Sequence, residues 1–325
     1  MQRREFLLRA GKAGISIAAA GAVSFRLYDA AGPKPGGGTE RRVTVPDFSV
    51  LQRQGQMISV VTGSNRVKTV NKAIELLGGI ERFIKPGEVV LIKPNVAFAS
   101  PPRLGATANP ELVAEVVRLC LRRGRAKQVI VADNPINDPA SCFSLSGIGK
   151  AAASAGARVL LPKDSFFERT TLTGGRLIKN WPVFFEPLST ADKVIGIAPV
   201  KDHHRSGASM TMKNWYGLLG GRRNIFHQDI NTIIAELAMM VKPTLVILDG
   251  TLVMVTNGPT GGSLSDLTRR NTMIVSCDQV AADSYGARLL GLKASDLPYL
   301  AKAEQAEAGT TNYESLKPIF AEIVG

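Results

Sequence analysis

Cysteine is scarce in this chain of 325 residues: Cys120, Cys142 and Cys277 are the three present, and no two share a CxxC spacing. That rules out a local zinc or iron–sulfur ligand set and leaves three unpaired thiols as the expectation, with Cys120 at a helix core position. Aromatic residues make up 6% and do not alternate with basic ones. A base-stacking surface needs that interleaving, so nucleic acid is not an expected partner. No apolar run reaches the roughly 20 residues of a spanning helix. The apolar stretch from Gly14 to Phe25 falls well short of that, so no stable transmembrane span is expected after processing. A GxxxxGK[ST] phosphate loop is missing, and no GxGxxG follows the first expected strand.

What is present begins with Arg3-Arg4, followed by Phe6-Leu7-Leu8, the apolar stretch and the small-x-small site Ala20-Gly21-Ala22. Paired arginines in that setting read as a twin-arginine export signal. The expected partner is the twin-arginine translocation machinery, and the expected location is the periplasm or another extracytoplasmic space. Residues 1–30 form this signal segment, residues 31–56 a Gly/Pro-rich linker, and residues 57–325 the folded domain. Hydrophobic content of 45% and charged content of 21% are ordinary for a globular body. Net charge is +13, of which +5 lies in residues 1–45 and +8 in the remainder. Such a body favours anionic partners.

From Met57 onward, strand-like and helix-like segments alternate. Strands are expected at Met57–Thr62, Glu88–Ile92, Gln128–Ala132, Arg158–Leu161, Lys193–Ala198, Leu245–Leu248 and Thr272–Ser276. Helices are expected at Val67–Leu77, from Asn109 to Gly124, at Gly147–Gly156, Ile230–Met240 and Val280–Leu290, followed by a helical tail. Asn109-Pro110-Glu111 supplies an N-cap, a first-turn proline and an acid at the positive end of the dipole. Continuous apolar strands separated by helices indicate an α/β fold: a mostly parallel sheet covered by helices on both faces. Thr170–Ile178, with Thr173-Gly174-Gly175 at its centre, adds a small antiparallel hairpin elaboration.

Ligands of open α/β sheets bind beyond the carboxyl ends of the strands. The residues expected there are Lys93-Pro94-Asn95, Asp133-Asn134, Lys201-Asp202-His203-His204, Asp249-Gly250 and Cys277-Asp278. Turn and cap chemistry accounts for Asp and Asn after strands but not for lysine. Between Lys201 and Asp229, nearly thirty residues lack a clear regular element yet hold His203, His204 and His227, along with Lys213-Asn214-Trp215-Tyr216-Gly217. A long irregular stretch of that composition reads as functional. Backbone amides at Gly258-Pro259-Thr260-Gly261-Gly262 are candidates to cradle an anion.

Taken together, Lys93-Pro94-Asn95, the Asn109-Pro110 helix start, the strand ending at Asp133, Lys201 with its adjacent histidines, Lys213-Asn214-x-x-Gly217, His227, Asp249-Gly250 and Gly258-Pro259 resemble the DUF362 family over residues 58–290. The resemblance implies an α/β fold and a shared site, for a family whose activity is largely unassigned. Many members carry a twin-arginine leader, and some carry a ferredoxin-like cysteine cluster that this chain lacks. A more distant likeness, on which no expectation rests, is to the nickel-pincer lactate racemase superfamily.

The leading expectation is an exported enzyme acting on a small anionic substrate, a carboxylate or phosphate. Lys93, Lys201 and Lys213 neutralise it, Asn95, Asn214, Asp133 and Gly258 bind it, and one of His203, His204 or His227 is the general acid or base. A metal- or cofactor-binding protein exported folded is the alternative, with His203, His227 and Asp249 as ligands of a divalent metal. A solute-binding module without turnover is the third reading. On the strand-end placement, Lys93→Ala or Lys213→Ala abolishes function while changing stability by less than about 1 kcal/mol.

Overall fold

The computed structural model describes residues 43–50 and 57–323, so the signal segment and most of the linker lie outside the described residues. In chain order the elements begin with β1 (Ile58–Thr62), α1 (Arg66–Leu76), β2 (Val89–Pro94), α2 (Pro110–Arg118), β3 (Gln128–Ala132), α3 (Pro139–Leu145), α4 (Ile148–Ser154) and β4 (Arg158–Leu160). There follow β5 (Phe167–Thr170), β6 (Trp181–Phe184), β7 (Lys193–His203), β8 (Gly207–Ser209) and α5 (Thr211–Asn214). The chain continues through α6 (Ile230–Met240), β9 (Leu245–Met254), β10 (Leu267–Ser276), α7 (Gln279–Ala287), α8 (Pro298–Gln305) and β11 (Ile319–Glu322).

One sheet runs β11-β1-β10-β9-β7-β2-β3-β4, with β8 added against β7. β9, β7, β2, β3 and β4 are parallel neighbours, and β10 runs against both β9 and β1. The fold is therefore the expected α/β sheet, mostly parallel. Alternate residues of each strand enter different cores: Leu91, Ile130 and Val246 one, Val90, Val129 and Ile247 the other. That alternation is the period of the pleat. Apolar positions of α1 to α4 cover the second face, and those of α6 to α8 cover the first. Asn109 caps α2 as its sequence implies, accepting from the amides of Glu111 and Leu112.

The sheet corrects several expectations. β7 and β9 run on to His203 and Met254, past the expected ends at Ala198 and Leu248, so Lys201, His203 and Asp249 lie inside strands. Because β10 is antiparallel, Cys277 and Asp278 leave the sheet at the opposite edge from the other strand ends. There the Asp278 carboxylate caps α7 through the amides of Val280 and Ala281. The stretch after Lys201 is also more regular than its sequence suggests, containing β8, α5 and two 3-10 turns. The helical tail ends in a short strand, β11, parallel to β1. All three cysteines are free. Among the described residues no helix is long and apolar enough to cross a membrane.

The hairpin exists, but its paired strands, β5 and β6, overlap the expected Thr170–Ile178 span only at Thr170, and they form a separate sheet. A buried carboxylate holds its loop. Glu236 of α6 accepts from the amides of Arg176, Leu177 and Ile178 at 2.6–3.0 Å. Removing that acceptor strands three amides. Glu236→Ala is therefore expected to cost about 3 kcal/mol or more, read as a lowered urea midpoint. Limited proteolysis should then cut first within residues 171–180.

Candidate functional site

The carboxyl ends of β2, β3 and β7 meet at a buried ion pair. Lys93 Nζ lies 2.7 Å from Asp133 Oδ1, and both side chains are no more than 2% exposed. Asp133 also accepts from the Val96 amide at 2.7 Å and the Asn134 amide at 3.0 Å. From this pair a polar chain runs sideways. Lys93 donates to Asn214 Oδ1 at 2.8 Å, Asn95 Nδ2 donates to the same oxygen at 3.5 Å, and Lys201 donates to Asn95 Oδ1 at 3.3 Å. Lys201 ends the chain on the Ala106 carbonyl at 2.6 Å. Asn214 also donates to the carbonyls of Lys93 and Ile197, which uses both of its amide protons.

Two of the residues expected to bind substrate are thus committed to the protein itself. Asp133 and Asn214 have their polar atoms engaged and serve to hold the lysines. Gly258 is a third correction: its amide donates to the Asp202 carboxylate at 3.2 Å, so it is not offered to an anion. The structure also overturns the mild expectation for Lys93→Ala. A buried charge left without its partner costs about 3–5 kcal/mol, so that variant reports folding as well as function.

Beyond the network lies a narrow cavity of about 70 Å³, lined by Lys93, Asn95, Lys201, His203, Lys213, Asn214 and His227 among others. Strand geometry explains part of the set. Lys201 and His203 are two apart on β7 and share a face, and Ser209 of β8 pairs opposite Lys201. The cavity shares Asn134, Ile136, Tyr216, Arg223 and His227 with an open cleft of about 600 Å³, which forms its approach. Arg223 and Tyr216 are site residues that the sequence reading passed over. Arg223 is anchored on the carbonyls of Tyr216, Leu219 and Pro135. Their only sequence signal was their place among the histidines.

Cations outnumber carboxylates in the cavity lining: Lys93, Lys201, Lys213 and Arg223 face Asp133 alone. Burial, helped by the charges of Lys213 and Lys93, presses the Lys201 ammonium down to about 7. Burial and Arg223 bring Lys213 to about 8. Lys93 is also lowered by burial, with Asp133 opposing.

The imidazoles differ in which nitrogen is protonated. His203 Nδ1 accepts from the amides of Arg205 at 3.3 Å and Ser206 at 3.2 Å, which places its ring proton on Nε2. Burial and the neighbouring Lys213 depress its pKa to about 2, so the ring stays neutral. His227 Nδ1 faces the Asn224 carbonyl at 3.2 Å and the Tyr216 hydroxyl oxygen at 3.2 Å, whose proton goes to the Arg223 carbonyl. Both neighbours accept, so His227 carries its proton on Nδ1 and keeps an open lone pair on Nε2. One histidine is a donor and the other a base, with ring centroids 6.0 Å apart. His204 is exposed, stacks on His203 at 5.1 Å and does not line the cavity, which removes it from the expected catalytic set.

The expected metal ligands are not brought together. Asp249 accepts from Arg66 Nε at 2.6 Å and from the Thr251 amide at 2.9 Å. His203 turns a protonated nitrogen away from its amide partners, which is the wrong tautomer for a ligand through Nε2. Among the described residues no group of three His, Cys, Asp or Glu side chains is placed to hold a metal ion.

Two outcomes follow from this geometry. A Cβ at Gly217 would sit 2.0 Å from Asp133 Oδ1 and 2.8 Å from Lys93 Nζ. Gly217→Ala is expected to destabilise by on the order of 3 kcal/mol, as a drop in melting temperature. For Lys201, the folded value of about 7 lies below its ordinary 10.5. Between those values the unfolded chain binds a proton that the folded chain does not, so stability rises with pH across that window. The slope is at most about 1.4 kcal/mol per pH unit. Denaturant titrations from about pH 6 to about pH 10 should show that rise in the wild type and a shallower one in Lys201→Met, where the depressed Lys213 still contributes with the same sign.

A domain of unknown function, DUF362, matches residues 90–288. A thylakoid-associated protein of Synechocystis sp. is 26% identical over 288 residues, covering 85% of this chain and 84% of the relative. Among solved structures, the lactate racemase apoprotein of Thermoanaerobacterium thermosaccharolyticum aligns with a TM-score of 0.37 at 12% identity over 68% of this chain. A Thermotoga maritima protein aligns with a TM-score of 0.38 at 13% identity over 74% of this chain. This chain spans 54% and 59% of those two structures, and likenesses this weak carry no functional argument. On the match over residues 90–288, which contains the ion pair, the lysines and all three histidines, the chain belongs to the DUF362 family.

Proposed function

We propose that this protein is an exported enzyme that binds a small carboxylate or phosphate in the inner cavity and moves a proton on it. The observation that carries the reading is the excess of cations over carboxylates lining a cavity that also holds two neutral imidazoles in opposite tautomers. An anion supplies the missing negative charge. Lys201 and Lys213 bind it, and Lys93 is fixed by Asp133 as the base of the site. His227 Nε2 removes a proton, and His203 Nε2–H donates to the oxygen on which charge develops. Export rests on Arg3-Arg4 and the apolar stretch behind them.

Because burial brings Lys201 down to about 7 and Lys213 down to about 8, anion binding is strongest where both are charged. Affinity should fall as pH climbs through that range, by up to about tenfold per pH unit for each proton linked. Calorimetry with acetate, pyruvate and inorganic phosphate at several pH values measures this. Affinity that does not weaken between about pH 7 and pH 9 would overturn the cationic site. Turnover is read by proton NMR as exchange of carbon-bound hydrogen into deuterated water. His227→Gln should stop exchange and spare binding. Binding without any exchange in the wild type would instead make the protein a solute-binding module. Export is checked by fractionating cells that express Arg3→Lys/Arg4→Lys, which should retain the precursor in the cytoplasm.

A further inference from the structure

The inner cavity holds one amine that the protein leaves unused. Lys93 is spent on Asp133 and Asn214, and Lys201 on Asn95 and Ala106. Arg223 is spent on three carbonyls. Lys213 Nζ has no hydrogen bond to any described residue. Its ammonium lies over the face of the Tyr216 ring, 5.3 Å from the centroid. It projects from α5, whose first amides and Thr211 hydroxyl are pinned by the buried Asp283 carboxylate at 2.5–3.0 Å. The lysine therefore stands on a fixed support while its own end group stays unassigned. Lys201, Lys93, Arg223, His203 and His227 line the same cavity from other elements, and Asp133 is the one carboxylate in that lining.

We propose that Lys213 is a nucleophile that forms an imine with a 2-oxo acid or a related small carbonyl anion. The inference rests on the anion-site reading above and goes further by naming a covalent step. The Nζ lone pair adds to the carbonyl carbon, and the carbonyl π bond becomes an O–H bond as a nitrogen proton passes to oxygen. Loss of that hydroxyl with the second nitrogen proton releases one water and leaves a C=N bond. No oxidant or reductant is consumed, and water reverses the step. An imine takes up a proton readily and draws electrons from the neighbouring carbon. That is the activation a weak base such as the neutral His227 needs to remove a proton there. Burial and Arg223 keep part of the amine uncharged near neutral pH, with Lys213 brought to about 8. The carboxylate of the same substrate falls to Lys201, while His203 Nε2–H is available to the oxygen as it leaves.

Borohydride trapping tests this. The purified full chain is incubated with pyruvate or glyoxylate, reduced, digested and mapped by mass spectrometry. The expected result is one stable secondary amine at Lys213, with trapping that rises with pH to a midpoint near 8 and is absent from Lys213→Arg. Calorimetry with inorganic phosphate, a non-carbonyl anion, runs in parallel on the wild-type chain. Phosphate binding without any trapped adduct overturns the imine alone. Adducts spread over exposed lysines, with none at Lys213, overturn it as well. Absence of both binding and trapping overturns the anion site on which it rests.

Discussion

The Lys93–Asp133 pair is the constraint around which the functional end of the molecule is arranged. It ties the neighbouring parallel strands β2 and β3 at their carboxyl ends, where their ladder stops. The same carboxylate fixes the turn after β2 through the Val96 amide, and the same ammonium fixes α5 through Asn214. Burying a lone charge is expensive, and a buried pair is tolerated only when its remaining hydrogen-bonding capacity is filled. Here that condition recruits the next layer. One asparagine side chain, two main-chain amides and a glycine without a side chain are each required because the pair is there. Gly217 is the plainest case, since only the absence of a Cβ lets its segment close over Asp133.

Further from the pair, the balance of charge changes. Lys201, Lys213 and Arg223 add cations with no carboxylate to match them. A protein interior does not ordinarily keep unmatched charge, so the lysines are driven toward their neutral forms. Under the proposed anion binding, a nearby negative charge would draw these amines back to their ammonium forms. The two imidazoles sit in the same field and stay neutral for the same reason, their tautomers set by backbone groups. The proposed acid, base and anion recognition thus draw on one electrostatic arrangement.

Much of this could be read from the chain. Apolar runs of four to six residues between helical segments fixed the class, and lysine after a strand marked Lys93 and Lys201, because lysine has no part in turns or caps. Strand ends were less clear. β7 and β9 continue through Pro199, Lys201, Asp249 and Gly250, residues that a propensity argument treats as stops; their extension is supported by pairing with each other and with β8. The direction of β10 was not visible either, because a buried antiparallel strand has the same apolar run as a parallel one. The sequence assigned Asp133, Asn214 and Gly258 to a ligand because they are polar and well placed. Only the hydrogen bonds reveal that the protein uses them itself. Arg223 and the tautomers of His203 and His227 depend on which carbonyls and amides lie within reach, and no spacing rule encodes that.

The size of the inner cavity has a consequence of its own. At about 70 Å³ it is far smaller than the outer cleft of about 600 Å³. An anion moving in from that cleft would therefore give up part of its hydration shell before it reached the lysines. The cost of that loss differs greatly among anions of equal charge, being greatest for small, hard, multiply charged ions and least for soft or delocalised monovalent ones. The narrow passage thus discriminates by dehydration energy as well as by shape. Under the proposed anion binding, such a narrowing would weight affinity toward weakly hydrated anions without any contact dedicated to refusing the others.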